Sequence, residues 1–302
     1  MLGEFLGTLT LIVLGCGVGA GLNLNKTMAH GQSDWFYVTF AWGIAVTMGV
    51  YVAASFGAQG HLNPAVTIAF AAAGTFPWSQ VAPYLVGQFL GAFLGAVLVM
   101  IQFWPHFKAT KDPKHNNIGI FSTVPGIRSN LFNFLSELIA TFVFMLVLYN
   151  LGDFTTGLKP VVVGLVIFVI GAGLGTTTGF ALNPARDWGP RLAYTIIPVP
   201  NKSRAMWDYA WVPMLGPLAG PLLATLLQMT VKEIMKKEKL QAELERVQNR
   251  LAIWCVLTIC FYVIAALRVL PFIHWLAWLS AGYCVFLLGT WLWLFHIYRH
   301  LK

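Results

Sequence analysis

His61-Leu62-Asn63-Pro64-Ala65-Val66-Thr67 and Gly179-Phe180-Ala181-Leu182-Asn183-Pro184-Ala185-Arg186-Asp187 place two Asn-Pro-Ala triplets 120 positions apart. Each triplet reads as a helix start. Asn is a favoured N-cap, and Pro suits the first helical position, where its missing N–H is no loss. The apolar stretches they open, 63–74 and 183–197, are short. A helix of about 12 residues rises only about 18 Å, roughly half a bilayer. At membrane depth such half-helices persist only where protein or a watery cavity surrounds their irregular ends. A pair of them in corresponding places of two halves marks the position of a solute site.

The rest of the chain supplies the membrane. Of its 302 residues 58% are hydrophobic and 10% charged, where a soluble domain carries about 25% charged residues. A span needs about 20 mostly apolar residues. Six such segments precede residue 232, at roughly 2–22, 35–57, 79–104, 131–150, 158–179 and 209–231, and two follow, at 251–267 and 272–298. Phe5–Leu14 follows Glu4 directly, without a basic leader or a small-residue cleavage site, so the first segment is expected to stay as a membrane helix.

The halves correspond. Glu4 opens the first span and Glu137 the fourth, in Gly3-Glu4-Phe5-Leu6-Gly7-Thr8 and Ser136-Glu137-Leu138-Ile139-Ala140-Thr141, and each half later delivers an Asn-Pro-Ala. Three spans per half is an odd number, so the second half enters the membrane in the opposite sense. The expected fold is all-α: six transmembrane helices and two re-entrant half-helices in an inverted repeat, with halves of about 1–115 and 125–231. The half-helices then dip in from opposite faces and meet N-terminus to N-terminus. Gly87, Gly91 and Gly95, and again Gly216 and Gly220, have the four-residue spacing that lets helices approach closely.

Other chemistries find little support. The net charge of +8 comes with no basic stripe interleaved with aromatics, so no nucleic-acid partner is expected. Cys16, Cys255, Cys260 and Cys284 all lie in apolar runs without a CxxC pair, so no metal site is expected. The glycines at 15, 17, 19 and 21 lack the Lys-Ser/Thr of a phosphate loop. No nucleophile, base and orienting group can be assembled, so neither an enzyme nor a cofactor is expected.

The paired motifs resemble the signature of the aquaporin superfamily, and Gly179–Asp187 resembles its glycerol-facilitator branch. The resemblance covers about residues 1–231. It implies an hourglass pore in each subunit of a homotetramer, with Asn63-Pro64-Ala65 and Asn183-Pro184-Ala185 at the midpoint. Each N-cap Asn can spend its carbonyl oxygen on its own helix and leave its NH₂ to a permeant. Arg186 matches the family's constriction arginine; the bland alternative is an ion pair with Asp187. Phe180 and Trp42 match the aromatic constriction positions. Gly171 stands where water-selective members put His, so a widened passage is implied. Asp187 matches a glycerol-branch position, with a structural role favoured. Glu4 and Glu137 are read as acceptors for the backbone N–H groups of the re-entrant loops, and His61 as a support of the first loop that also reaches the cytoplasmic vestibule. The permeants implied are glycerol, water and small polyols, with ions and protons excluded. Rival readings are a pore for dihydroxyacetone, urea or protonated short acids, and an ion-coupled transporter. The latter needs a titratable group at the midplane, where Asn63 and Asn183 stand instead.

Residues 232–302 depart from the family. Residues 232–250 are charged and carry Leu240, Leu244, Val247 and Leu251 at helical spacing, which predicts an amphipathic cytoplasmic helix. A two-helix transmembrane hairpin over 251–302, joined at Arg268–Pro271, is expected to follow. It would put both termini in the cytoplasm of a plasma-membrane, bacterial-looking multi-pass protein. The basic loop 105–130, with Lys108, Lys111, Lys114 and Arg128, lies on the wrong side for a positive-inside count, so the orientation rests on the repeat.

Overall fold

The computed structural model describes every residue except 33, 113, 115, 116, 267–272, 301 and 302, with 264 and 273 described by backbone alone. All the long elements among the described residues are helices. Two compact units divide the chain, Met1–Gln228 and Met229–Lys302.

In the first unit the order runs α1 (Leu2–Asn23), α2 (Trp35–Ser55), α3 (Pro64–Ala72), α4 (Val81–Gln102), a short α5 (Trp104–Ala109), α6 (Asn130–Asn150), α7 (Lys159–Leu174), α8 (Pro184–Ile196) and the start of α9 (Trp211–Ala266). The sequence long–long–short–long thus occurs twice, as α1–α4 and as α6–α9. Helix α1 packs on α2 and α4, α2 on α7, and α4 on α8, so the two halves interlock. Lipid cannot satisfy a bare backbone, which is why the apolar segments close their hydrogen bonds within helices.

Close packing comes from missing side chains. A methyl group on Gly95 would sit 2.9 Å from the Leu9 carbonyl oxygen of α1, and one on Gly220 only 2.7 Å from the Phe142 nitrogen of α6. Real methyl groups do not come so near, so these helices touch backbone to backbone.

Two sequence boundaries move. The fifth span, expected over 158–179, is helical only over Lys159–Leu174, 16 residues. Gly175 and the run Thr176-Thr177-Thr178-Gly179 end it, and the chain turns toward the second half-helix. The second change lies in α9, which runs unbroken for 56 residues through the sixth span, the charged segment and the seventh apolar segment. A separate amphipathic helix over 232–250 was expected. Residues 229–266 contain neither Gly nor Pro, so nothing interrupts the ladder of hydrogen bonds.

Within the second unit, α10 (Ile273–His300) runs antiparallel to the end of α9. Trp254 meets Tyr283 with ring centroids 5.1 Å apart, and Tyr262 meets Trp278 at 6.3 Å. Leu244 and Val247 are buried, so the predicted apolar stripe is the covered side of the charged segment. The joint expected at Arg268–Pro271 lies outside the described residues.

Candidate functional site

The two half-helices meet through their capping asparagines. Asn63 Oδ1 accepts from the Ala65 N–H at 2.9 Å, and Asn183 Oδ1 accepts from the N–H groups of Ala185 and Arg186 at 2.9 and 3.1 Å. Pro64 and Pro184 occupy the first helical turn, and Ala65 and Ala185 are buried. The side-chain amides then cross over. Asn63 Nδ2 donates to the Leu182 carbonyl at 2.8 Å, and Asn183 Nδ2 donates to the Leu62 carbonyl at 2.6 Å. This differs from the expectation that each NH₂ is left free. One hydrogen of each amide ties one loop to the other.

The crossing needs backbone in an unusual conformation. Leu62, Leu182 and Phe180 have φ of +51°, +53° and +42°, a left-handed region that costs about 1–2 kcal/mol for a residue with a Cβ. Buried carboxylates offset it. Glu4 accepts from the His61 N–H at 2.9 Å and the Leu62 N–H at 2.7 Å. Glu137 accepts from the Ala181 and Leu182 N–H groups at 3.0 and 3.1 Å and from the Thr178 hydroxyl at 2.7 Å. The His61 ring lies against Thr67 and Gln59, 3.1 Å from each. Backbone amides with no water nearby need such partners.

On one side of this crossing lies the arginine. Arg186 is 8% exposed. Its Nη1 donates to the Phe121 carbonyl at 2.8 Å, and its guanidinium carbon sits 3.8 Å from the centroid of the Trp42 ring. That stacking covers a face of the guanidinium rather than its N–H edge. Asp187 is ion-paired with Arg191, at 2.8 Å with both side chains 0% exposed, in place of the alternative pairing with Arg186. A cavity of about 490 Å³ runs past Trp42, His61, Asn63, Phe180, Asn183 and Arg186. Its walls are mostly apolar. Gly171 stands behind Phe180: a Cβ there would lie 3.0 Å from the ring and from Thr39 Cγ2.

Several residues that support the site were not singled out from sequence. Gln88 Nε2 donates to Glu4 at 2.8 Å and to Thr67 at 3.0 Å from the middle of α4. A lone amide inside an apolar span was the available signal. Arg191 stands four residues after Asp187, a helical ion-pair spacing visible in the sequence. Thr123 donates to Asp187 through both its N–H and its hydroxyl, at 2.7 and 2.8 Å, from a loop 64 positions away. No local pattern announces that contact.

Paired re-entrant half-helices in a bundle of apolar spans define a polytopic helical membrane protein built as an inverted repeat around a solute path. Comparison with known proteins narrows the class. The profile of the family described as "Major intrinsic protein" matches residues 1–228. The chain is 63% identical over 218 residues to the glycerol uptake facilitator protein 2 of Lactiplantibacillus plantarum, covering 72% of this chain and 92% of the relative. It is 47% identical over 218 residues to the glycerol uptake facilitator protein of Bacillus subtilis, covering 72% of this chain and 78% of that one. The solved aquaglyceroporin of Plasmodium falciparum superposes with a TM-score of 0.65 at 33% identity, over 74% of this chain and 92% of that structure. The chain belongs to the major intrinsic protein family.

Proposed function

We propose that the chain is a passive channel for glycerol, water and related small neutral solutes, that it excludes ions and protons, and that it is not an enzyme. The observation that carries this reading is a mostly apolar cavity lined by a few donor side chains. Asn63, Asn183 and Arg186 line this cavity together with Trp42 and Phe180, and the Arg186 guanidinium stacks on Trp42. A polyol has hydroxyls along one edge and carbon along the other. Trp42 and Phe180 take the carbon edge, and Arg186 and the asparagines take the hydroxyls. The names of the relatives support glycerol as the permeant.

Ion exclusion follows from charge. Two helix N-termini each bring roughly half a positive charge to the midpoint, and Arg186 adds a full one. Aquaporin-type pores are the standard instance of proton and cation exclusion by such dipoles and an arginine. Glu4, Glu137, His61 and Asp187 hold the loops that present these groups. The protein works as a homotetramer in the plasma membrane of a bacterium, with both termini in the cytoplasm.

Light-scattering flux in proteoliposomes tests the reading with a panel of water, glycerol, dihydroxyacetone, urea and short acids. Water and glycerol should pass without saturation. Arg186→Val should raise proton and cation leak while glycerol still passes. Water flux without glycerol flux, or saturable flux that collapses with the proton gradient, refutes the proposal.

A further inference from the structure

The Phe180 ring is held in place by two residues that do not themselves line the cavity. Trp35, at the start of α2, donates its indole N–H to the Gly171 carbonyl at 2.9 Å. The same indole meets the Phe180 ring nearly edge-on, with centroids 5.7 Å apart and planes at 84°. On the α7 side, Gly175 lies flat beneath the ring. A Cβ built there falls 2.5 Å from Phe180 Cδ1, 2.8 Å from its Cγ and 2.6 Å from the Gly171 carbonyl oxygen. Gly175 has ordinary helical φ and ψ of −85° and −11°, so its lack of a side chain serves space rather than backbone freedom. Phe180 itself is left-handed, and its backbone is fixed through the neighbouring Ala181 N–H on Glu137. The ring can therefore yield mainly toward the cavity it lines.

We propose that Trp35 and Gly175 are positioning residues that set how far Phe180 protrudes into the passage, and that they thereby discriminate polyols from water. The inference rests on the channel reading above. Trp35 ties the start of α2 to the wall of α7 at the point where Gly171 leaves that wall bare. Gly175 gives the ring room to lie back. Together they hold the passage wide enough for a carbon backbone. A one-carbon intrusion at Gly175 moves the ring forward, which narrows the path for glycerol more than for the smaller water molecule.

The test measures glycerol and water flux of the full chain in proteoliposomes, normalised to inserted protein. Gly175→Ala should lower the glycerol-to-water ratio by about tenfold or more, the discrimination one carbon produces in a close-fitting site. Trp35→Phe, which keeps an aromatic ring but deletes the N–H, should lower it by about threefold, as one lost hydrogen bond would. Trimming the ring in Gly175→Ala/Phe180→Leu should restore most of the glycerol flux, a rescue that a purely structural defect would not show. An unchanged ratio in Gly175→Ala overturns the proposal. So does an equal fall of both fluxes that Phe180→Leu does not rescue. If Gly175→Ala fails to insert, an unchanged ratio in Trp35→Phe overturns it. Failure of the channel reading shows instead in the intact chain, as water flux without glycerol flux, and that result overturns the positioning role of Trp35 and Gly175 as well.

Discussion

Replacing Asp187 with alanine should cost this protein more stability than any other single truncation around the site. The carboxylate accepts from Arg191 Nε at 2.9 Å, Arg191 Nη2 at 2.8 Å, the Thr123 N–H at 2.7 Å and the Thr123 hydroxyl at 2.8 Å. Without it the guanidinium of Arg191 keeps the carbonyls of Thr123, Ala205 and Met206 but loses its counter-charge, and at 0% exposure no solvent replaces it. Breaking a buried pair from one side costs about 3–5 kcal/mol. At about 2–4 °C per kcal/mol for a chain of this size, the midpoint should fall by about 6–20 °C. Thermal melting in detergent, followed by tryptophan fluorescence, measures it. Removing both charges in Asp187→Ala/Arg191→Leu should recover much of the loss, because the unpaired buried charge, more than the pair itself, sets the cost. An Asp187→Ala midpoint within about 2 °C of the parent would refute the argument, since a shift that small corresponds to less than about 1 kcal/mol. A double variant that loses the sum of the two single effects would do the same.

Three further outcomes are expected. Gly220→Val should destabilise the first unit by about 1–3 kcal/mol through overpacking, because its Cβ meets the Phe142 nitrogen at 2.7 Å, whereas Gly17→Ala, with nothing within 4 Å, should not; paired melting curves decide. Copper-phenanthroline oxidation should cross-link Cys255 to Cys284, whose sulfurs stand 3.8 Å apart in the hairpin, and a gel shift lost in Cys255→Ser reads it out. The Arg128 hydrogen bond at 2.8 Å holds the Asp208 carboxyl below its usual range. Its stabilisation is therefore present above the ordinary carboxylate pKa and fades as pH falls through the lowered value. Both side chains are half-exposed, so the acid-side loss in melting midpoint should be small, weakened by salt and absent in Arg128→Ala.

How much could be read in advance varies from residue to residue. Asn63-Pro64 and Asn183-Pro184 carry local chemistry, a cap and a fixed φ, so two helix starts were legible from the chain alone. The apolar runs were equally legible, because length and hydropathy decide what can cross a bilayer. The apolar run of α7 stops at Leu174, and the expected end at 179 wrongly counted Gly175-Thr176-Thr177-Thr178-Gly179 into the span. The continuity of α9 is hidden by the change in composition at 232, which alters charge but not helix propensity.

By itself the sequence determined the solvent, the repeat, the two capped half-helices and the charge of Arg186, since each follows from residue type and spacing along one segment. Only the tertiary structure decided that each asparagine amide binds the other half's loop, that Asp187 pairs with Arg191 while Arg186 stacks on Trp42, and that Gly171 and Gly175 lie behind Phe180. Those contacts join residues as far apart in the chain as Trp42 and Arg186. They depend on which faces meet when α2, α7 and α8 pack, and no local rule of capping, hydropathy or charge spacing contains that information.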